Sequence, residues 1–237
     1  MNSIKESVVV VAGGTGGVGE GLVRVFLERG VRVVVPYRSD AKRERLEQYC
    51  ADVAEDRLHC VEAVLSDEAS MERFHDTILS KYGRVDLGVA CIGGWYYGYS
   101  LHRMPFVDWA NVLENNLTTH FLTLRAIVSV MRANNHGTYV MVNGGAAEVI
   151  APESGAVSIV AAAQKMMARV LAQEAHGTNV RVHSVIAYHP VQTRDRRGEV
   201  VEDWITPAEL GAYIARLYES PGSDRIVHTV YSHTDVE

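Results

Sequence analysis

Residues 13–19 hold five glycines, Gly13, Gly14, Gly16, Gly17 and Gly19, between the apolar run Val8–Ala12 and an amphipathic stretch. Four valines and an alanine in succession make a strand with no polar face. Such strands belong to parallel sheets covered on both sides. A strand that turns through glycine into a helix brings bare backbone close to a bound anion, and the helix presents its first N–H groups and positive dipole end to it. In the first βα turn of an N-terminal βαβ unit, the pattern points to a dinucleotide pyrophosphate. Outside that context it would be only a flexible turn.

The same alternation continues along the chain. Strands are expected at Val8–Ala12, Arg32–Pro36, Leu58–Leu65, Leu87–Cys91, Tyr139–Val142, Val180–Ile186 and Arg225–Val230. Helices are expected at Gly19–Arg29, Lys42–Glu55, Ser70–Tyr82, Ser158–His176 and Pro207–Tyr218, with one long helical region over Phe106–Asn134. Right-handed crossovers make this an α/β fold with a doubly wound parallel sheet and helices on both faces. No repeat or linker divides it, so residues 1–237 read as a single domain. At 47% hydrophobic residues the chain has material for one sizeable core.

The net charge of −6 and the absence of a dense basic run argue against nucleic acid or an anionic membrane as partners; Asp195 interrupts the densest cluster, Arg194–Arg197. The N-terminal apolar run is too short for a secretory signal or a membrane span. Cys50, Cys60 and Cys91 are odd in number and lack CxxC spacing, so they read as reduced thiols of a cytoplasmic protein. No metal site is expected, because the ten histidines form no HxxxH or HExxH pair. A G-x-S-x-G nucleophile elbow is likewise missing.

The second strand ends in Val35-Pro36-Tyr37-Arg38-Ser39. A carboxylate there would select a ribose diol, whereas Arg38 suits a 2′-phosphate, which favours NADP(H) over NAD(H) if a cofactor binds. A solvated surface arginine is the plain alternative.

With these motifs the chain resembles the short-chain dehydrogenase/reductase family over essentially its whole length. The glycine motif Thr-Gly-x-x-x-Gly-x-Gly matches Ala12 to Gly19 except at its first residue. Asn116 falls at the family's helix-4 active-site asparagine, Gly137–Asn143 resembles its fifth strand, and Val180–Ser184 its sixth. Pro190-Val191-Gln192-Thr193 resembles the segment whose threonine meets the nicotinamide amide, and Thr206–Glu209 the start of the last helix. The resemblance implies cofactor contacts from Gly13, Thr15, Gly16, Gly17, Val18, Gly19, Arg38, Ser39, Leu65, Gly93 and Thr193.

The family's reacting residues do not follow. Its serine falls on Gly144, its tyrosine on Val157 and its lysine on Ala161; a rival register using Lys165 as the lysine still finds no tyrosine. In the family the tyrosine donates the proton, the lysine lowers its pKa and holds the nicotinamide ribose, and the serine hydrogen-bonds the oxyanion. Gly144, Val157 and Ala161 have no group for that work. The adenine aspartate corresponds to Val64, Asn-Asn-Ala-Gly to Ala90-Cys91-Ile92-Gly93, and Pro-Gly to Tyr188-His189.

Replacements are sought in the loops at the strand C-termini. Gly93-Gly94-Trp95-Tyr96-Tyr97-Gly98-Tyr99 offers an aromatic wall for a flat apolar ligand, or an aromatic loop packed on its own or a neighbouring subunit. The substrate pocket is assigned to Trp95, Tyr96, Tyr97, Gly144, Gly145, Glu148 and Val157. Catalytic candidates are Asn116, Tyr188 and His189, the last two as proton donors or as mere pocket walls. Glu148, Glu153 and His102 read as loop residues within possible reach of the crevice.

Three functions are carried forward. The first is an atypical NADPH-dependent ketoreductase of a polycyclic or polyketide-like compound of secondary metabolism, whose own phenol or enol supplies the proton. The second is a non-redox isomerase, cyclase or dehydratase on the same fold. The third is a non-catalytic pseudoenzyme subunit. A homodimer or homotetramer is expected, with Ala161-Ala162-Ala163, Met166, Met167 and Val170 suited to close helix packing.

Overall fold

A computed structural model describes residues 4–196, 204–220 and 224–236. Seven strands form one parallel sheet in the order β3-β2-β1-β4-β5-β6-β7: β1 Val8–Ala12, β2 Arg32–Tyr37, β3 Leu58–Glu62, β4 Leu87–Ala90, β5 Gly137–Gly144, β6 Val180–Ala187 and β7 Val227–Val230. The helices are α1 Gly17–Glu28, α2 Asp40–Ala54, α3 Glu68–Tyr82, α4 Phe106–Leu113, α5 Thr119–Ala133, α6 Gly155–Glu174 and α7 Pro207–Glu219. This is the doubly wound α/β fold expected from the alternation.

Period-two side-chain direction in the strands divides the apolar residues between two cores. Val9, Val11, Val33 and Val35 face α1, α2 and α7, packing with Phe26, Leu46 and Leu210. Val8, Val10, Val34, Tyr139 and Met141 face the other way, against Phe74 of α3, Ile127 of α5 and Ala168 of α6. Both faces are therefore dry, and function is confined to the strand ends.

Several boundaries differ from the expected ones, each for a local reason. The helix after the glycines begins at Gly17 rather than Gly19, because Gly16 already serves as its N-cap. β3 stops at Glu62, which frees Ala63–Leu65 to turn into the crevice. The long region 106–134 is interrupted by a π-type turn at Glu114–Thr118. α7 opens at the Thr206–Glu209 segment with a reciprocal capping box between Thr206 and Glu209 and a proline in its first turn. Glycine in α1 then lets α7 approach: a Cβ at Gly21 would lie 2.3 Å from Cβ of Pro207.

Among the described residues only α6 is long and apolar enough by composition to cross a membrane. It lies against β5 and β6, with Ala156, Val157, Val160, Ala161, Gln164 and Ala168 turned inward.

Candidate active site

The strand order reverses between β1 and β4, and a cleft of about 480 Å³ opens beside that point. Its floor is the glycine turn. Gly13 has φ +83° and a Cβ there would sit 2.0 Å from the Cys91 carbonyl oxygen, so the turn must be bare to lie against the end of β4. A Cβ at Gly19 would come within 2.1 Å of the Gly13 carbonyl oxygen, which sets α1 directly on the turn. Gly16 caps α1 without a side-chain hydrogen bond, leaving the first-turn N–H groups to an outside acceptor.

Gly13, Thr15, Gly16, Arg38, Leu65 and Gly93, all expected to hold a cofactor, line this one cleft. Gly17 and Thr193 meet each other just beyond it: the Thr193 side chain lies 3.4 Å from the position of a Cβ on Gly17. Val18, Gly19 and Ser39 do not line the cleft. Arg38 and Lys42 stand exposed on its wall, and among the described residues neither has a carboxylate within ion-pair distance. Val64, at the adenine-aspartate position, donates its N–H to Ser70 Oγ at 2.9 Å.

The region beyond β4 is differently built. Gly144 ends β5 in open space, with no heavy atom near its missing Cβ. Val157 and Ala161 are only 7% and 4% exposed, in an apolar cluster with Ala146, Ala147 and Ile186. Tyr96 packs against that cluster and against Val112, Ala156 and Val160. Its hydroxyl donates to Asp108 Oδ2 at 2.9 Å; burial and then this bond push its pKa above the ordinary phenol value. Tyr97 donates to Glu153 Oε2 at 2.5 Å, which raises its pKa in turn. Trp95 lines the cleft at 65% exposure, whereas Tyr97, Gly144, Gly145, Glu148 and Val157 do not.

Lys165, the lysine of the rival register, is ion-paired with Glu148 at 3.0 Å. Tyr188 and His189 also stay off the cleft wall: their rings meet edge to face at 5.2 Å, and Tyr188 packs on Tyr231 at 4.8 Å. The Tyr188 carbonyl passes so close to Gly145 that a Cβ there would be 2.2 Å away. His102 is exposed in a short turn outside the cleft.

Asn116 is buried in the π-type turn. Its Nδ2 donates to the Val112 carbonyl at 3.0 Å, and its Oδ1 accepts from Gly94 N–H at 2.9 Å. Its own carbonyl accepts from Gln164 Nε2 at 2.6 Å. A Cβ at Gly93 would fall 2.3 Å from Asn116 Oδ1, so the loop after β4 fits only as glycine at that point. All three bonds brace the loop.

Residues that sequence reasoning missed also line the cleft: Lys42, Cys91, Asp108, Asn111 and Asn115. Lys42 had a signal, since it lies four residues after Arg38 in the first turn of the next helix. Asp108 had none, being an ordinary acidic residue in a helix first turn. Burial pushes the Cys91 thiol up to about 12, away from nucleophilic chemistry. Behind the cleft, Arg194 makes a two-pronged contact with buried Glu20, 2.9 Å from Nε to Oε1 and 2.9 Å from Nη2 to Oε2, and stacks over Tyr49 at 4.2 Å. Of the short polar segment between Arg194 and Ile205, residues 197–203 lie outside the described residues.

The model of the short chain dehydrogenase family matches residues 7–198. The chain belongs to the short-chain dehydrogenase family. Among curated relatives, the NADP-dependent 3-hydroxy acid dehydrogenase YdfG of Shigella flexneri is 24% identical over 178 residues, covering 75% of this chain and 70% of the relative. Among solved structures, a short chain dehydrogenase from Mycobacterium smegmatis superposes with TM-score 0.84 at 23% identity, covering 97% of this chain and 93% of that one. A metagenomic short-chain oxidoreductase in complex with NADP gives TM-score 0.82 at 22% identity over 98% of both chains. The structural likenesses show the same fold over nearly the whole chain.

Proposed function

We propose that this short-chain dehydrogenase family member is an NADP(H)-dependent oxidoreductase that reduces a carbonyl of a small apolar or aromatic molecule without a tyrosine–lysine relay. The observation that carries the reading is the pair Arg38 and Lys42, two cations without carboxylate partners on the wall of a glycine-floored cleft. Two unpaired cations at the end of β2 suit a 2′-phosphate, and the uncapped N–H groups of α1 suit a pyrophosphate. The structure thus fits the phosphates of NADP(H), and the NADP complex of a structural neighbour supports the same cofactor.

Bound NADPH would supply the hydride. The chain's own part is to orient and to exclude water, because Gly144, Val157 and Ala161 bring neither a proton nor an oxyanion donor. Exposed Trp95 on the cleft wall offers apolar surface for a flat substrate carrying its own phenol or enol. The test is NADPH consumption with ortho-hydroxyaryl ketones and quinones. Substrate-dependent loss of reduced-nicotinamide absorbance is expected. Tight NADPH binding with no hydride transfer to any of them would overturn the redox assignment.

A second reading has its own observation. Asp108 is the only carboxylate among the described residues lining the cleft, and its Oδ2 accepts from the Tyr96 hydroxyl, which fixes its position. That suits a general base in a non-redox isomerisation or dehydration. Tyr188, His189 and Glu148 remain acid–base candidates of that reading, tested by alanine substitution. Turnover without cofactor consumption, lost in Asp108→Asn, would favour it.

The outward stripe of α6, Ile159, Ala162, Met166 and Val170, together with Phe121 of α5, is exposed and apolar. A homodimer through this face is part of the proposal. Met166→Glu should lower the mass measured by light scattering to that of one chain.

A further inference from the structure

A dinucleotide lies across the point where the order of a doubly wound sheet reverses, one half over the strands on either side. Here the two sides are unequal. The open cleft is walled by the ends of β1, β2 and β3, by the loop after β4, and by α4, the π-type turn and the start of α5. No residue from the end of β5 or β6 lines it. Tyr96, which lines the cleft, also packs its side chain against the apolar cluster built from the β5 and β6 ends and the start of α6.

The ring is held by bonds that a loose surface tyrosine would lack. Tyr96 Oη donates to Asp108 of α4, the neighbouring Tyr97 is tied to Glu153, and Gly98 N–H donates to the Glu153 carbonyl at 3.1 Å. Asn116 clamps the base of the same loop through Gly94.

We propose that the free protein binds the phosphorylated adenosine half of the dinucleotide alone, and that Tyr96 and the second half compete for a single place. The ligand class for the resting cleft is therefore an adenosine 2′,5′-bisphosphate, recognised by Arg38, Lys42 and the glycine turn. The remainder of NADP(H) enters only when Tyr96 leaves Asp108. The inference rests on the nucleotide reading above and adds an occluded half-site to it.

Calorimetric titration of the full chain with adenosine 2′,5′-bisphosphate and with NADP⁺ tests it. A site that is open in only a minor fraction of molecules loses affinity by that fraction, and such minor states are commonly about 0.1–10% populated. In the wild type the two ligands should therefore bind within about threefold of each other. Tyr96→Ala should tighten NADP⁺ by about tenfold or more and leave the bisphosphate unchanged. Asp108→Ala removes the anchor without emptying the apolar cluster, and should shift NADP⁺ in the same direction if Tyr96→Ala does not fold.

NADP⁺ binding more than about tenfold tighter than the bisphosphate in the wild type, with no gain in either variant, would overturn the occlusion while leaving the nucleotide reading intact. Failure of both ligands to bind the wild type would instead remove the nucleotide reading, and the inference with it.

Discussion

Gln164 Nε2 donates to the Asn116 carbonyl across 2.6 Å, tying α6 to the π-type turn between α4 and α5. A π-type turn leaves a carbonyl without its usual helical partner, and in this chain a side chain from the next helix takes it. The Asn116 carbonyl and both its side-chain polar atoms are engaged inside the protein, so the residue acts as a brace.

Gln164→Leu should therefore destabilise the fold. The substitution keeps bulk but orphans a buried carbonyl, at a cost of about 1–3 kcal/mol. In a chain of this length that is a drop of about 2–4 °C in Tm per kcal/mol. Thermal melting with and without adenosine 2′,5′-bisphosphate checks it, and the ligand-induced increment should be unchanged because Gln164 does not itself line the cleft.

The fold was legible because its signals are local. Four consecutive valines, five glycines in seven residues and the Thr206–Glu209 capping pattern each act within one turn or strand, and the structure keeps all three. The site was most legible where backbone made it: Gly13 and Gly93 follow from steric necessity. Tyr96 was assigned to a pocket wall on composition, yet its position depends on Asp108, twelve residues away on another element. Tyr188 and His189 drew attention as titratable residues at a strand end, but ring stacking with Tyr231 holds them off the cleft wall. Sequence spacing carries no information about such side-chain partnerships.

Arg38 and Lys42 should set the preference for the 2′-phosphate. Each charge-assisted contact contributes about 1.5–3 kcal/mol, a factor of roughly 10–100 in affinity. Arg38→Asp should weaken NADPH by at least that factor while leaving NADH within severalfold. Lys42→Ala should show a smaller loss in the same direction. Both cations are exposed, so NADPH affinity of the wild type should fall as salt rises from low ionic strength, and the variants should respond less. Equal NADPH and NADH affinity in the wild type would remove the assignment.

Glu20 and Arg194 fasten the segment after β6 to α1. Glu20 is 2% exposed and is approached by Arg45 at 3.4 Å as well as by Arg194. Removing one partner of a buried pair leaves an uncompensated charge, at a cost of about 3–5 kcal/mol. The Arg194 side chain retains 28% exposure, so the lower end, about 3 kcal/mol, is expected for Arg194→Met. Glu20→Gln should cost less, since the amide keeps a hydrogen-bonding group without the charge. Denaturant titration measures both, and a variant pair of equal stability would show that the carboxylate charge is not what matters.

Acid should unfold the protein through three buried histidines. Burial lowers His120 and His183 to about 4, and it lowers His228 in the same direction. Tyr213 Oη lies 2.8 Å from His228 Nδ1, and His228 Nε2 lies 2.8 Å from the Arg225 carbonyl, so the neutral ring that accepts from the phenol and donates to the carbonyl satisfies both atoms. His183 Nδ1 is 3.1 Å from His228 Nε2, so a proton on one ring repels a proton on the other. In the unfolded chain these groups titrate near 6.5. Above that pH both states are neutral and stability is flat. As pH falls from about 6.5 toward 4, only the unfolded chain takes up the protons, and stability is lost at about 1.4 kcal/mol per pH unit for each histidine. Urea denaturation at steps between pH 7.5 and 4.5 should show this slope, reduced by roughly one histidine's share in His228→Gln. An unchanged slope in that variant would mean that carboxylates such as Glu209, whose depressed pKa also withdraws stability in acid, account for the loss instead.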